Sequence, residues 1–417
     1  MFKKLVCISF VLLMSCAFNQ EFQTPIDISF PAQDALNPQI SFDNSGNGVC
    51  VWYNSNDTNY IIQATRTTDG GATFSSPIDL SLAGRDAFNP QISFDNSGNG
   101  VCVWQRSNGT NTIIQAARTT DGGATFSTPI DLSHTGQDAD SPQISFDNSG
   151  NGVCVWNNST DNVIQAARTT NGGATFLTPV DVSIAGKVAD SPQISFDPIS
   201  GNGVCVWHNA TDNIIQAAQT TDGGATFLTP IALSPAGKVT DSPQISFDNS
   251  GNGICVWVRS NGSHNIIQAA ETINGGTTFL TPVDVSLAGR NANVPQISFD
   301  NSGNGVCVWY RFNGIEGRII QASSIAGQSP AVTLSVSGSQ FKISSLFQKD
   351  IVNKISWDSI PGAASYKVYD SSNALLFQGL ELSFFDHDKK QGKTYQYFVT
   401  WVNNLGAEST PVAVSIP

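Results

Sequence analysis

Six copies of the hexapeptide PQISFD begin at Pro38, Pro90, Pro142, Pro192, Pro243 and Pro295, and the residues just ahead of them carry the chain's most varied chemistry. Two positions before each proline stand Leu36, Phe88, Asp140, Asp190, Asp241 and Asn293. Further out are Gln33, Arg85, Gln137, Lys187, Lys238 and Arg290. Three successive acids facing two apolar groups, with cations behind them, form a pattern that can orient a polar ligand by hydrogen bonds while an apolar wall takes its less polar side. Tyr310 and Arg311 share a short segment with Glu316, one of only three glutamates before residue 327, the others being Glu21 and Glu271. His134, His208 and His264 fall in different copies of the repeat without the spacing of metal ligands, so neither a metal nor a cofactor is expected.

These residues must be held by something periodic. The repeat recurs every 50 to 52 residues, the length of one four-stranded propeller blade. Within it, PQISFD, GVCVW, IIQAA and TFxTPIDLS are short β-branched or aromatic runs bounded by Gly, Asn, Asp or Pro. The reading is an all-β, six-bladed β-propeller over residues 17–327. The sixth copy lacks its fourth strand, and residues 21–29, EFQTPIDIS, match that strand. The N-terminal strand is therefore expected to seal the ring and remove its open edge.

Strand alternation sends the first-to-second and third-to-fourth turns to one face and the remaining loops to the other. The first face repeats DNSGNG and TTDGGATF almost verbatim, whereas the second carries the divergent YNSNDTNY, QRSNGTNT, NNSTDN, HNATDN, VRSNGSHN and YRFNGIEG. Ligand recognition is expected on the divergent face, at Leu36, Arg85, Phe88, Asp140, Lys187, Asp190, Lys238, Asp241, Arg290 and Tyr310. DNSGNG superficially matches the start of a Ca²⁺ loop, but the twelfth residue from Asp43 is Asn54 rather than glutamate, so a plain hairpin turn is favoured.

Charged residues make up 13% of the chain, and 20 basic against 33 acidic groups give a net charge of -13. Such a surface repels phosphate backbones, which argues against a nucleic-acid partner. Six cysteines, Cys50, Cys102, Cys154, Cys205, Cys255 and Cys307, hold the same place in successive repeats. Rotation about a ring axis keeps equivalent positions too far apart to bridge, so they are expected to be buried thiols. Six tryptophans from Trp52 to Trp309 end the second strands and are expected to pack between blades. Lys3 and Lys4 precede an apolar run over residues 5–14, shorter than the ~20 residues of a membrane span and shaped like an export signal.

Several motifs resemble known families. Leu13-Met14-Ser15-Cys16 is similar to the lipobox of bacterial lipoproteins, which implies a signal over residues 1–16, acylation of Cys16 and a cell-envelope location; ordinary secretory cleavage near Ala17 is the alternative. TTDGGATF and its copies at residues 67, 119, 169, 220 and 272 resemble the Asp-box of sialidase-like, BNR-repeat propellers. That resemblance implies a structural role for Asp69, Asp121, Asn171, Asp222 and Asn274. The sialidase Phe/Tyr-Arg-Ile-Pro segment is absent, and Arg66, Arg118 and Arg168 are repeat-equivalent rather than clustered, so a catalytic set is not found. Residues 328–417 read as a linker or leading strand followed, from about Val332, by a stretch that resembles a fibronectin type III module, with Trp357 in its second strand, SYKVYDS its third, KTYQYFVTWVNN its sixth and Tyr395 at the tyrosine corner. The combined expectation is an exported, monomeric binding or adhesion protein for an extracellular glycan or protein, touching the membrane through its lipid only. A sialidase-like glycoside hydrolase is the alternative.

Overall fold

A computed structural model of the chain describes residues 24–31, 33–312, 317–325, 335–344, 349–358, 363–403 and 411–417. Cys16, the leader and Glu316 lie outside these residues. The chain divides into two compact units, Met1–Gly327 and Gln328–Pro417. All regular structure among the described residues is β. No helix is long and apolar enough to cross a membrane.

The first unit is a six-bladed β-propeller. Blade one consists of Ala35–Phe42, Gly48–Ser55, Tyr60–Thr67 and Ile78–Asp79, antiparallel in that order, and blades two to five repeat it. The second strand reads GVCVW with no apolar/polar alternation because both of its faces are covered, the residues of Gly100–Ser107 being buried from Gly100 through Trp104. On one side Val49, Val51, Ile62, Ala64 and Leu80 of blade one meet Ala87, Ile92, Cys102, Trp104 and Ala117 of blade two. The same interface recurs between the following blades. Trp104, Trp156, Trp207 and Trp257 are fully buried in it. The six cysteines are free and buried, and burial pushes the thiols up, to about 11 for Cys50 and Cys307.

Each fourth strand is only two residues long, so it is secured by side chains as well as by the ladder. In blade one, Leu80 N donates to Ile62 O at 2.8 Å, Ile62 N to Ser81 Oγ at 2.9 Å, and Gln63 Nε2 to Asp79 Oδ1 at 2.8 Å. Gly123 shows how tightly the blades then close. It holds φ +91, and an added Cβ would run into the Val49 side chain of the preceding blade.

The seal expected from residues 21–29 is not formed in the described part of the chain. Residues 24–30 carry no strand, and blade six is a three-stranded sheet of Ala292–Phe299, Gly305–Phe312 and Arg318–Ile325. Its Ile320 is 74% exposed where Ile62 is 0%. Gln321, lacking the aspartate that Gln63, Gln115, Gln165 and Gln268 hold, instead accepts from Trp309 Nε1 at 3.3 Å. Ile40 and Phe42 of blade one are likewise exposed. The physical reason is tethering: fourth strands of blades one to five follow their third strands through a short turn, whereas a two-residue N-terminal strand must close a loop nearly the length of the unit, and closure entropy rises with loop length.

The second unit is a β-sandwich. One sheet holds Val336–Ser344, Lys349–Trp357 and Ser383–Asp386; the other orders Leu375–Gly379, Ala363–Asp370, Tyr395–Asn403 and Val412–Ile416. Trp357, Tyr366, Val368, Tyr397, Val399, Trp401 and Ile416 fill its core. Trp357 ends the second strand, and Tyr395 opens the sixth with its hydroxyl accepting from Lys390 N at 3.0 Å.

Candidate functional site

At the hairpin end of the blades, local turns consume the polar side chains. Asp43 Oδ1 accepts from the backbone N–H of Ser45 and Asn47, and Oδ2 accepts from Asn47 Nδ2 at 2.7 Å. Asp69 accepts from Thr67 Oγ1 at 2.8 Å, Thr73 N at 2.9 Å and Thr73 Oγ1 at 2.7 Å. Those bonds, the Thr73 hydroxyl foremost, hold its carboxyl down at about 2. Burial works upward on Asp121 and Asp222, but threonine bonds outweigh it and leave both at about 2. Asn171 and Asn274 accept from the same positions and donate Nδ2 to Thr175 and Thr278. Arg66, Arg118 and Arg168 each donate to an asparagine of their own blade, Asn47, Asn99 and Asn151.

The divergent end is built differently. Here every first strand opens with a bulge, at which Asn37, Asn89, Ser141, Ser191, Ser242 and Val294 take φ between 50° and 54°. The bulge is what places the residue two before each proline opposite the end of the GVCVW strand: Leu36 opposite Tyr53, Phe88 opposite Gln105, Asp140 opposite Asn157, Asp190 opposite His208, Asp241 opposite Val258 and Asn293 opposite Tyr310. First strands of successive blades pack side by side, so these pairs follow one another along the inner rim.

Three zones result. Blades one and two supply an aromatic cluster, with Phe88 5.2 Å from Tyr53 and 5.1 Å from Tyr60, beside Leu36, which is 45% exposed. Between blades two and three lies an open cleft of about 540 Å³ lined entirely by polar residues: Asn89, Gln105, Thr112, Asp138, Asp140, Ser141 and Ser159. Asn157 Nδ2 holds both Asp140 oxygens at 3.3 Å, and Asn89 Nδ2 donates to Gln105 Oε1 at 3.1 Å. Blades four and five bring together Asp190, His208 and Asp241. The sequence sets His208 aside with His134 and His264, since none of the three shows metal-ligand spacing.

The outer cations are more committed than their sequence positions suggest. Lys187 Nζ binds Asp212 at 2.8 Å, and its hydrogen bond is the main cause that lowers the Asp212 carboxyl. Arg85 lies over Gly109 and Lys238 beside Gly262, each bracing the second-to-third loop of its own blade. Arg290 is exposed. Tyr310 sits in blade six under the Arg318 guanidinium, 4.5 Å from the ring centroid, apart from the aromatic cluster of blades one and two.

No family model matches the chain, and no curated protein matches it. Among solved structures, a protein of unknown function from Dyadobacter fermentans aligns with a TM-score of 0.51 at 13% identity, over 72% of this chain and 96% of that one. The likeness shows a shared fold. The NanB sialidase from Streptococcus pneumoniae aligns at 0.47 and 9% identity, over 67% of this chain and 66% of that one. An ulvan lyase aligns at 0.46 and 11%, over 78% of this chain and 89% of that one.

Proposed function

We propose that the protein binds an extracellular glycan on the divergent face of its propeller, across the aromatic cluster and the adjoining polar cleft. The observation that carries this reading is that the Tyr53–Tyr60–Phe88 cluster adjoins, through the Phe88–Gln105 pair, an open cleft of amides, hydroxyls and the Asp140 carboxylate. A sugar presents an apolar face of C–H groups and an edge of hydroxyls that both donate and accept. Aromatic rings match the first, and amide and carboxylate groups match the second. The groove is wide and solvated, which suits side-on recognition of a polymer better than enclosure of a small molecule.

The reading includes export through the leader, acylation of Cys16 and a cell-envelope location, with the sandwich as a fibronectin type III-like spacer. The Lys390–Tyr395 bond supports the latter, since that corner is a feature of such sandwiches. Binding is favoured over hydrolysis because Arg66, Arg118 and Arg168 are each spent within their own blade, leaving no arginine cluster from that set for a sialic acid carboxylate.

The test is a glycan array with the mature chain, followed by titration of the best ligand. Phe88→Ala and Asp140→Asn should each weaken binding at least tenfold, about 1.4 kcal/mol, without changing the unfolding midpoint. Turnover of fluorogenic sialosides would replace this reading with the hydrolase. Retention of a host protein but no glycan would move the ligand class.

A further inference from the structure

The geometry points to a divalent-cation site at Asp190, His208 and Asp241, on the inner rim between blades four and five. Each residue offers one ligand atom, and these atoms all lie within 4.8 Å of one another. His208 Nδ1 stands 3.1 Å from Asp190 Oδ1, close to the ~3.4 Å edge that two ligands span on a tetrahedral ion at bonds of 2.0–2.2 Å. Asp241 comes from the neighbouring blade, where its Oδ1 accepts from Ser242 N at 2.6 Å and its residue is exposed, free to turn inward by a rotamer change.

Two further observations separate this cluster from an ordinary patch of acid. The His208 side chain is only 12% exposed, and its Nδ1 faces Asp190 while Nε2 is buried without a partner, so among the described residues Asp190 is the one side chain that the ring engages. Secondly, no lysine or arginine pairs with Asp190 or Asp241 among the described residues, so two neighbouring carboxylates stand uncompensated beside an imidazole. A divalent ion supplies the missing positive charge. The donor set of one imidazole and two carboxylates suits a first-row ion such as Zn²⁺ or Mn²⁺ rather than Ca²⁺, which prefers an all-oxygen shell. Three protein ligands leave at least one position for water or a ligand oxygen.

The repeat provides its own controls. One blade back, Asp140 faces Asn157 instead of a histidine, and one blade forward the acid is replaced by Asn293. His208→Asn and Asp241→Asn therefore install residues that the same fold already carries at equivalent positions, so folding is not at stake.

The experiment titrates the full chain, stripped with chelator, with Mn²⁺ followed by its EPR signal, then displaces the ion with Zn²⁺. Buried thiols do not compete for Mn²⁺. One ion per chain is expected, with His208→Asn and Asp241→Asn each weakening affinity at least tenfold and a His134→Asn/His264→Asn double variant leaving it unchanged. Absence of saturable binding overturns the inference, as does binding that both single variants retain. Ca²⁺ binding that survives His208→Asn would equally overturn it. None of these outcomes depends on whether a glycan binds.

Discussion

The two ends of each blade treat polar side chains in opposite ways. At the hairpin end the turn aspartates accept hydrogen bonds from their own turns, and Asn44, Asn96 and Asn148 form a ladder from blade to blade. At the divergent end the paired side chains change from blade to blade, Asp140 facing Asn157, Asp190 facing His208 and Asp241 facing Val258. The hairpin end and the blade interfaces hold the propeller together. The divergent end is where a ligand meets it.

The largest effect that would break this division is in the blade interface. Trp156 is fully buried among Val101, Val103, Ile114 and Leu132 of the preceding blade. Trp156→Ala should cost about 3–5 kcal/mol, read from urea unfolding followed by circular dichroism. A loss under 1 kcal/mol would mean that blades are not stabilised chiefly by their contacts with one another.

Next comes acid. Asp69, Asp121 and Asp222 sit at about 2, below an ordinary 3.8. A carboxyl depressed in the folded state stabilises fully above its unfolded value and loses that contribution as pH falls through its folded one. Stability should therefore decline between about pH 4 and pH 2. The triple change to asparagine, which blades three and five already carry at Asn171 and Asn274, should flatten that decline while shifting neutral-pH stability little. An unaltered acid limb would assign it to other carboxylates.

Period, strand order and turn chemistry were legible in the sequence because each is local: GVCVW reads as a strand covered on both faces, and TTDGGATF contains both partners of its own hydrogen bonds. The meeting of Asp190 with His208 was not legible. Counting back from the pair Gln193↔Val206, a regular ladder would set Asp190 against Asn209, and only the bulge shifts it to His208. A one-residue slip turns a side chain to the other face of a sheet, so an unannounced bulge hides such a pair from spacing arguments. The seal expected from residues 21–29 is absent over the described residues 24–29 for the converse reason. The match to the fourth strand is local and good, but local similarity carries no information about closing a long loop through two residues.

The smallest effect sharpens the boundary between scaffold and site. Lys187 and Asp212 form an ion pair with side chains 43% and 38% exposed, and such pairs contribute less than about 1 kcal/mol in water. Lys187→Ala should leave unfolding within about 0.5 kcal/mol of the parent, while the Asp212 carboxyl, released from the ammonium that lowers it, should rise toward the ordinary range in an NMR titration. If glycan affinity is also unchanged, Lys187 only braces its loop and the site is confined to the inner rim. If affinity falls instead, the groove extends outward from the bulges onto the loop layer, and the ligand must be long enough to span both.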